Sequence, residues 1–275
     1  MVRKPFNFDT WLDYHLTLVD HIFLRVEETP NLSEVIDKYG DKITVEYSNV
    51  ENKAWDQTWG PIKRERQKKF TNEVIKKCQD LNINWLAHID SDELICANDL
   101  EFLNKIDEDI QCVIIQNYEA VYPIDNLDNP FLQTNRFIRN NMTSYVNGKS
   151  FGRVSSNIEL LGPHRFSGKK IDTNVAKILH FESPTFDKWL EKFQFKTFSV
   201  ENSDIEDIFN THRDRYGNWH KFLFYKESIK VIESGDMKKC RELYNKSKVD
   251  RYYEEGTMKL YWTPLLKEKN INWAR

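Results

Sequence analysis

The residues best suited to chemistry in this 275-residue chain stand in the segment WLAHIDSDELI at 85–95. An apolar run stops abruptly there in Asp90, Ser91, Asp92 and Glu93, which crowds three carboxylates together at the exit of a strand. Like charges so close raise one another's pKa unless a cation or basic group compensates. Carboxylate oxygens are hard ligands that suit Mg2+ or Mn2+, ions usually held by one or two carboxylates plus substrate phosphates. Such an ion would neutralise a diphosphate leaving group and act as a Lewis acid. If the chain stays extended, Asp90 and Asp92 project to the same side. Asp92 would touch the metal, Asp90 a ribose or the metal through water, and Glu93 the substrate. The plainer reading is an exposed acidic turn capping a following helix; the apolar strand before the triplet favours the metal.

A second polar segment, GPHRFSGKK at 162–170, holds His164, Arg165, Lys169 and Lys170. It lines a ligand pocket or is an ordinary basic hairpin, and the residues alone do not choose. His15 and His88 lie within apolar patterns and are expected to be structural. Cys78, Cys96, Cys112 and Cys240 show no paired C-x-x-C spacing, so free thiols are expected rather than disulfides or a zinc site.

Elements that would position these residues follow from periodicity. Trp11, Tyr14, His15 and Leu18 recur at helical spacing in FDTWLDYHLTL (8–18), and DHIFLRVE (20–27) is strand-like. Leu32, Val35, Ile36 and Tyr39 suggest a second helix that ends at Gly40, and ITVEY (43–47) alternates as a strand. A basic helix over roughly 61–82 opens at Gly60-Pro61, with Phe70, Val74, Cys78 and Leu81 on one face. WLAHID (85–90) has the composition of a strand buried between layers. DLEFLNKI (99–106) predicts a short helix and CVIIQNYEAVYP (112–123) a long strand; 124–150 is an Asn- and Asp-rich surface loop. SNIELLG and AKILHFES add two strands, and the pattern after 185 is helical.

This order predicts an α/β fold: a three-layer α/β/α sandwich with a mixed, mainly parallel sheet and a C-terminal helical extension, divided as residues 1–200 and 201–275. Open sheets of that kind bind ligands at the carboxyl ends of their strands, where Asp90 lies. With 40 basic and 43 acidic residues and a net charge of -3, nucleic acid is not an expected partner. No signal-peptide stretch or run of about 18–20 apolar residues is visible, so no transmembrane segment is expected. The expected location is cytoplasmic, with peripheral membrane contact through basic aromatic faces as the lesser alternative. The C-terminal helices would dock on the catalytic domain, cover an acceptor cleft or form a homodimer.

Segments quoted above resemble a known family. IDSDEL looks like the D-x-D motif of GT-A-fold glycosyltransferases, especially the family-2-like and family-92-like group with its Trp-hydrophobic-x-x-Ile-Asp-x-Asp-Glu signature. FDTWLDYHLTLVDHIFLRVEETP resembles that group's opening, and HFESPTFDKWLEK (180–192) its downstream element. Together they cover roughly residues 8–196. The resemblance implies that Glu27, Thr29 and Arg66 approach the nucleotide, that His180 completes the metal shell with Asp90 and Asp92, and that Lys192 contacts the diphosphate. The blander readings are a core histidine and a solvated helix lysine. The family's opening strand is very short or missing here, since only Met1-Val2-Arg3-Lys4 precede the first helix; Arg3 and Lys4 would replace part of it.

The implied activity is a Mn2+- or Mg2+-dependent glycosyltransferase moving a sugar from a UDP- or GDP-sugar to a carbohydrate or glycosylated acceptor. An inverting reaction needs a carboxylate to deprotonate the acceptor hydroxyl, and Glu119 and Asp172 are the candidates beside their reading as ordinary strand or loop acids. Trp55, Trp59, Tyr118 and Tyr122 would stack on sugars or fill the core. Two alternatives stand: another Mg2+-dependent nucleotide-processing enzyme, and a non-catalytic carbohydrate-binding or scaffolding module with a degenerate site.

Overall fold

The structure is a computed structural model that describes residues 2, 5–27, 29, 31–48, 61–122, 127–138, 147–154, 157–200, 227–253 and 259–260. For 61–64, 195–200, 246–253 and 259–260 it describes the backbone alone. Arg3, Lys4, Trp55 and Trp59 lie outside the described residues.

Helix α1 (Phe8–His15) buries Phe8, Trp11, Leu12, Tyr14 and His15; Trp11, Tyr14 and His15 are on the face that the spacing marked, whereas Leu18 lies beyond the end of the helix. It leads into β1 (Ile22–Glu27), which pairs in parallel with β2 (Ile43–Ser48) across α2 (Leu32–Ile36) and a 3-10 turn at Asp37–Lys42. Val2 lies beside β1 as a single parallel bridge to Val26, donating to the Arg25 carbonyl at 2.8 Å and accepting from Glu27 N–H at 2.9 Å. That one rung is the described part of the opening strand.

After α3 (Pro61–Asp80) come β3 (Trp85–Ala87), β4 (Glu93–Cys96), β5 (Cys112–Ala120), α4 (Pro130–Gln133), β6 (Arg136–Ile138), β7 (Lys149–Arg153), β8 (Leu160–Gly162), β9 (Arg165–Phe166) and β10 (Lys170–His180). β8 and β9 form a small hairpin sheet of their own. The seven-stranded main sheet centres on β5, with β10 and then β4 on one side. On the other side β7 covers the first half of β5 and β6 the second, with β3 outside β7.

The expected mainly parallel sheet is not what forms. Only β5 and β10 run parallel in the main sheet, and its other described pairings are antiparallel. Parallel neighbours need a crossover of a dozen or more residues, usually a helix. Between α3 and the helix at Phe186 the described helices are only a five-residue 3-10 segment at Glu101–Lys105 and the four-residue α4. Without such helical crossovers the described strands of this sheet meet mostly antiparallel.

β5 is buried on both faces along nearly its whole length. Cys112 and Ile114 pack with Ile75 of α3, Leu160 and Phe166, whereas Val113 and Ile115 pack with Ile95, Leu103, Phe151 and Ile178. That alternation puts α3 and the hairpin sheet on one side of the main sheet and the 3-10 segment on the other. WLAHID is only partly a strand: β3 ends at Ala87, is half-buried and pairs only with β7 among the described residues, so Asp90 sits in the loop beyond it.

Helix α5 (Phe186–Val200) presents Phe186, Trp189 and Phe193 to Cys240, Leu243 and Tyr244 of α6 (Met237–Tyr253). β11 (Lys259–Leu260) pairs with β6. The C-terminal segment is thereby tied to α5 and to the main sheet. Cys78, Cys96, Cys112 and Cys240 are free thiols.

Candidate functional site

Edge strand β4 has no strand on its outer side among the described residues, and α1 takes that place with side chains. Trp11 Nε1 donates to the Glu93 carbonyl at 2.7 Å, Tyr14 Oη donates to the Ile95 carbonyl at 2.5 Å, and Ile95 N–H donates to His15 Nε2 at 3.3 Å. Because His15 Nε2 accepts, its Nδ1 carries the proton and donates to the Trp11 carbonyl at 2.8 Å. Burial pushes the His15 pKa down to about 3, so the ring is neutral. His15 is structural, as its apolar setting implies.

The acidic segment is a turn, not an extended run. Glu93 N–H donates to the Asp90 carbonyl at 3.1 Å, and Asp90 N–H donates to Glu93 Oε2 at 2.7 Å. Phe181 N–H donates to the Asp92 carbonyl at 2.8 Å, which ties the turn to the end of β10. The two aspartates therefore face different bases, contrary to the expectation for an extended chain. Asp90 meets Lys149, with Oδ2 2.7 Å from Nζ, while Asp92 Oδ2 lies 3.5 Å from His180 Nε2. Both aspartate side chains are about one-third exposed, at 35% and 34%, whereas Glu93 is fully buried.

Lys149 is the residue that sequence reasoning missed. Its ammonium is fully buried and also lies 3.2 Å from Glu93 Oε2 and 3.1 Å from the Pro163 carbonyl. Burial alone would depress it, but Asp90 and Glu93 hold its pKa above the ordinary lysine value. Burial raises the Glu93 pKa to about 7, against the opposing pull of Lys149 and with a further push from Asp90. In the sequence Lys149 ends an Asn- and Asp-rich stretch, where a lysine has every appearance of a solvated one. Gly148 before it, at φ +60°, is the one available signal: a Cβ there would stand 2.1 Å from the Ile115 carbonyl oxygen.

Strand register assembles the other half. Glu93 of β4 stands opposite His180 of β10, and His180 opposite Glu119 of β5. His180 Nδ1 is 2.7 Å from Glu119 Oε2, and Asn117 Nδ2 donates to Glu119 Oε1 at 3.0 Å. Burial works against a charged His180, yet Glu119 and then Asp92 hold its pKa well above the usual imidazole range. Ligand atoms of Glu119, His180 and Glu182 all lie within 4.8 Å of one another, a grouping able to hold a metal ion. Glu182 is also ion-paired to Lys192 of α5.

Of the residues expected at a nucleotide, Arg66 Nη2 lies 3.5 Å from Glu27 Oε2, Arg25 Nε lies 3.6 Å from Glu27 Oε1, and Thr29 Oγ1 donates to the Glu27 carbonyl at 2.9 Å. Arg66 and Gln67 are successive on α3, and Gln67 Nε2 lies 3.5 Å from Asp90 Oδ1, so this helix links the cluster to the aspartates. A cleft of about 610 Å3 opens between β1 and β3, with His88 and Ser91 on its wall.

The remaining candidates divide. His164 Nδ1 lies 3.0 Å from the Gly148 carbonyl, so the hairpin buttresses the Lys149 loop. Arg165 beside it is half-buried, while Lys169 pairs with Asp109 on the surface. His88 is buried, with Nδ1 3.2 Å from the Pro163 carbonyl. Tyr118 and Tyr122 are in the core. Glu119 is 1% exposed with both oxygens engaged, which turns it towards His180 rather than an incoming acceptor. Asp172 is exposed and accepts from Gln116 at 3.2 Å. It pairs with Ile114, five residues from Glu119 along β5, a separation of roughly 16 Å at strand rise. It is not part of the cluster.

Among the described residues no helix is long and apolar enough to cross a membrane. No protein-family model matches the chain. It is similar to two curated proteins of Arabidopsis thaliana. Glycosyltransferase-like At3g57200 is 25% identical over 228 residues, covering 64% of this chain and 44% of that protein. Glycosyltransferase-like At2g41451 is 24% identical over 228 residues, covering 64% of this chain and 51% of that protein. The chain thus spans about half the length of the curated relatives it matches, and its similarity is to proteins named glycosyltransferase-like.

Proposed function

We propose that the chain is a metal-dependent glycosyltransferase of GT-A-like arrangement, taking a UDP- or GDP-sugar as donor and a carbohydrate or glycosylated acceptor. The observation that carries this reading is the meeting of Asp92 and His180, 3.5 Å apart, beside Asp90. A carboxylate oxygen and an imidazole nitrogen, backed by the buried Glu119 and Glu182, form a donor set that suits Mn2+ or Mg2+. Among the described residues Asp90, Asp92, Glu93, Glu119 and Glu182 gather around Lys149, Lys192 and His180. Names of the similar proteins point the same way.

Asp92 and His180 would hold the ion, whose chemistry is to neutralise charge on a departing nucleoside diphosphate. Glu119 fixes the His180 ring through Nδ1, which leaves Nε2 to face Asp92 and the ligand. Asp90 would accept a hydrogen bond from a ribose hydroxyl. Arg66, Glu27 and Thr29 would contact the rest of the nucleotide, and Lys192 would exchange Glu182 for a phosphate oxygen.

A thermal-shift panel of nucleotide-sugars with Mn2+, run on the wild type and on Asp92→Ala, tests the proposal. Stabilisation by one donor that requires both Mn2+ and Asp92, with slow Mn2+-dependent hydrolysis of that donor, is the expected result. Indifference to every donor would overturn it and favour a non-catalytic carbohydrate-binding module.

A further inference from the structure

We propose that Lys149 is a positioning residue that serves as the built-in cation of Asp90. It divides the acidic cluster into a lysine-filled half, Asp90 with Glu93, and a half left for a divalent ion, Asp92 with His180. The assignment of a metal to the second half rests on the proposed function; the filling of the first half does not.

A lysine ammonium has three N–H donors and no acceptor. All three are used here, on Asp90 Oδ2 at 2.7 Å, Glu93 Oε2 at 3.2 Å and the Pro163 carbonyl at 3.1 Å. Such a three-oxygen seat is what a bound cation would otherwise occupy. A fully buried lysine is costly unless it is paired and hydrogen-bonded, so the seat must be held by its surroundings. The sequence and fold supply that frame. Gly148, in a conformation that suits glycine, lets the chain pass against Ile115 of β5. Its N–H donates to Asn117 Oδ1 at 3.2 Å, and its carbonyl faces His164 Nδ1 at 3.0 Å. Asn117 in turn donates to Glu119, so one side chain supports the lysine loop and the His180 partner together.

Two consequences follow from charge and geometry. A divalent ion on Asp90 Oδ2 would stand against the Lys149 ammonium on the same oxygen and be repelled by it. Among the described residues Asp92 faces the His180 imidazole rather than an ammonium, and an imidazole in its neutral form is itself a metal ligand. The ion is therefore steered to Asp92, and Asp90 is held in one orientation to accept a hydrogen bond from a hydroxyl of the ligand. The turn makes this division possible, because it sends the two aspartates to different partners.

The test is a Mn2+ titration by isothermal calorimetry, without nucleotide, on the full chain and its variants. In the wild type one Mn2+ is expected. Asp92→Asn should weaken it by about tenfold or more, and Asp90→Asn by less than about threefold. Lys149→Met should bind Mn2+ more tightly than the wild type or take up a second ion, since Asp90 and Glu93 then lack their cation. Lys149→Arg should resemble the wild type. Equal losses in Asp90→Asn and Asp92→Asn would overturn the division, and that pair of variants decides the matter even if Lys149→Met does not fold. A folded Lys149→Met that gains no Mn2+ would also overturn it. Binding by Lys149→Met but not by the wild type would uphold the role of Lys149 and overturn the metal reading of Asp92 and His180. No binding by either protein would overturn both.

Discussion

Trp11 donates its indole N–H to the Glu93 carbonyl across 2.7 Å, joining the first helix to the strand that begins at the acidic turn. That bond, with those of Tyr14 and His15 to Ile95, completes the outer edge of β4. A strand edge in need of partners normally finds another strand or is covered; here three side chains of one helix cover it.

Trp11→Phe retains a ring but removes the donor. The buried Glu93 carbonyl then lacks that partner, a loss worth roughly 1–3 kcal/mol. Chemical denaturation should show a lower midpoint with an unchanged slope. An unaltered midpoint would mean that the indole contributes packing alone.

Gly148→Ala should be among the most damaging single changes. Alanine at φ +60° is strained, and its Cβ would press on the Ile115 carbonyl at 2.1 Å. A cost of about 2–4 kcal/mol is expected from strain and overlap together. Thermal unfolding of this variant beside Gly162→Ala, where a Cβ meets nothing within 4 Å, provides the internal control.

His15 makes the fold acid-sensitive in a defined window. Its folded-state pKa is depressed to about 3 by burial, below an unfolded value of about 6.5. Between these values the unfolded chain binds the extra proton, so stability is fully present above about pH 6.5 and declines as pH falls towards 3. His88, also depressed to about 3, acts in the same direction. His15→Gln should flatten the decline of melting temperature between pH 6.5 and 4. A slope equal to the wild type's would show that His15 is not buried neutral.

Glu119→Gln should keep the fold and lower Mn2+ affinity by about tenfold, the usual effect of removing a carboxylate behind a ligating histidine. Electron paramagnetic resonance of Mn2+ measures this directly. If affinity is unchanged while Asp92→Asn abolishes it, His180 does not belong to the metal shell.

Much of the fold was legible because it is local. The helical spacing of Trp11, Tyr14 and His15, the alternation in ITVEY and the apolar run of β5 each report an element through its own periodicity, whatever packs against it. Sheet direction was not legible in this way: apolar runs announce buried strands but not their orientation, and the main sheet pairs strands distant in the chain, antiparallel except for β5 with β10. The site divides along the same line. By itself the sequence determined which carboxylates and which histidine are available, and that Asp90, Asp92 and Glu93 leave an apolar segment together. Tertiary structure decided their partners. Lys149 reaches Asp90 from 59 positions away, and the registers of β4 and β5 against β10 bring Glu93 and Glu119 into line with His180. A turn's hydrogen bonds and a strand's register depend on atoms distant in the chain, so the pairing of each acid with its base is a property of the folded molecule.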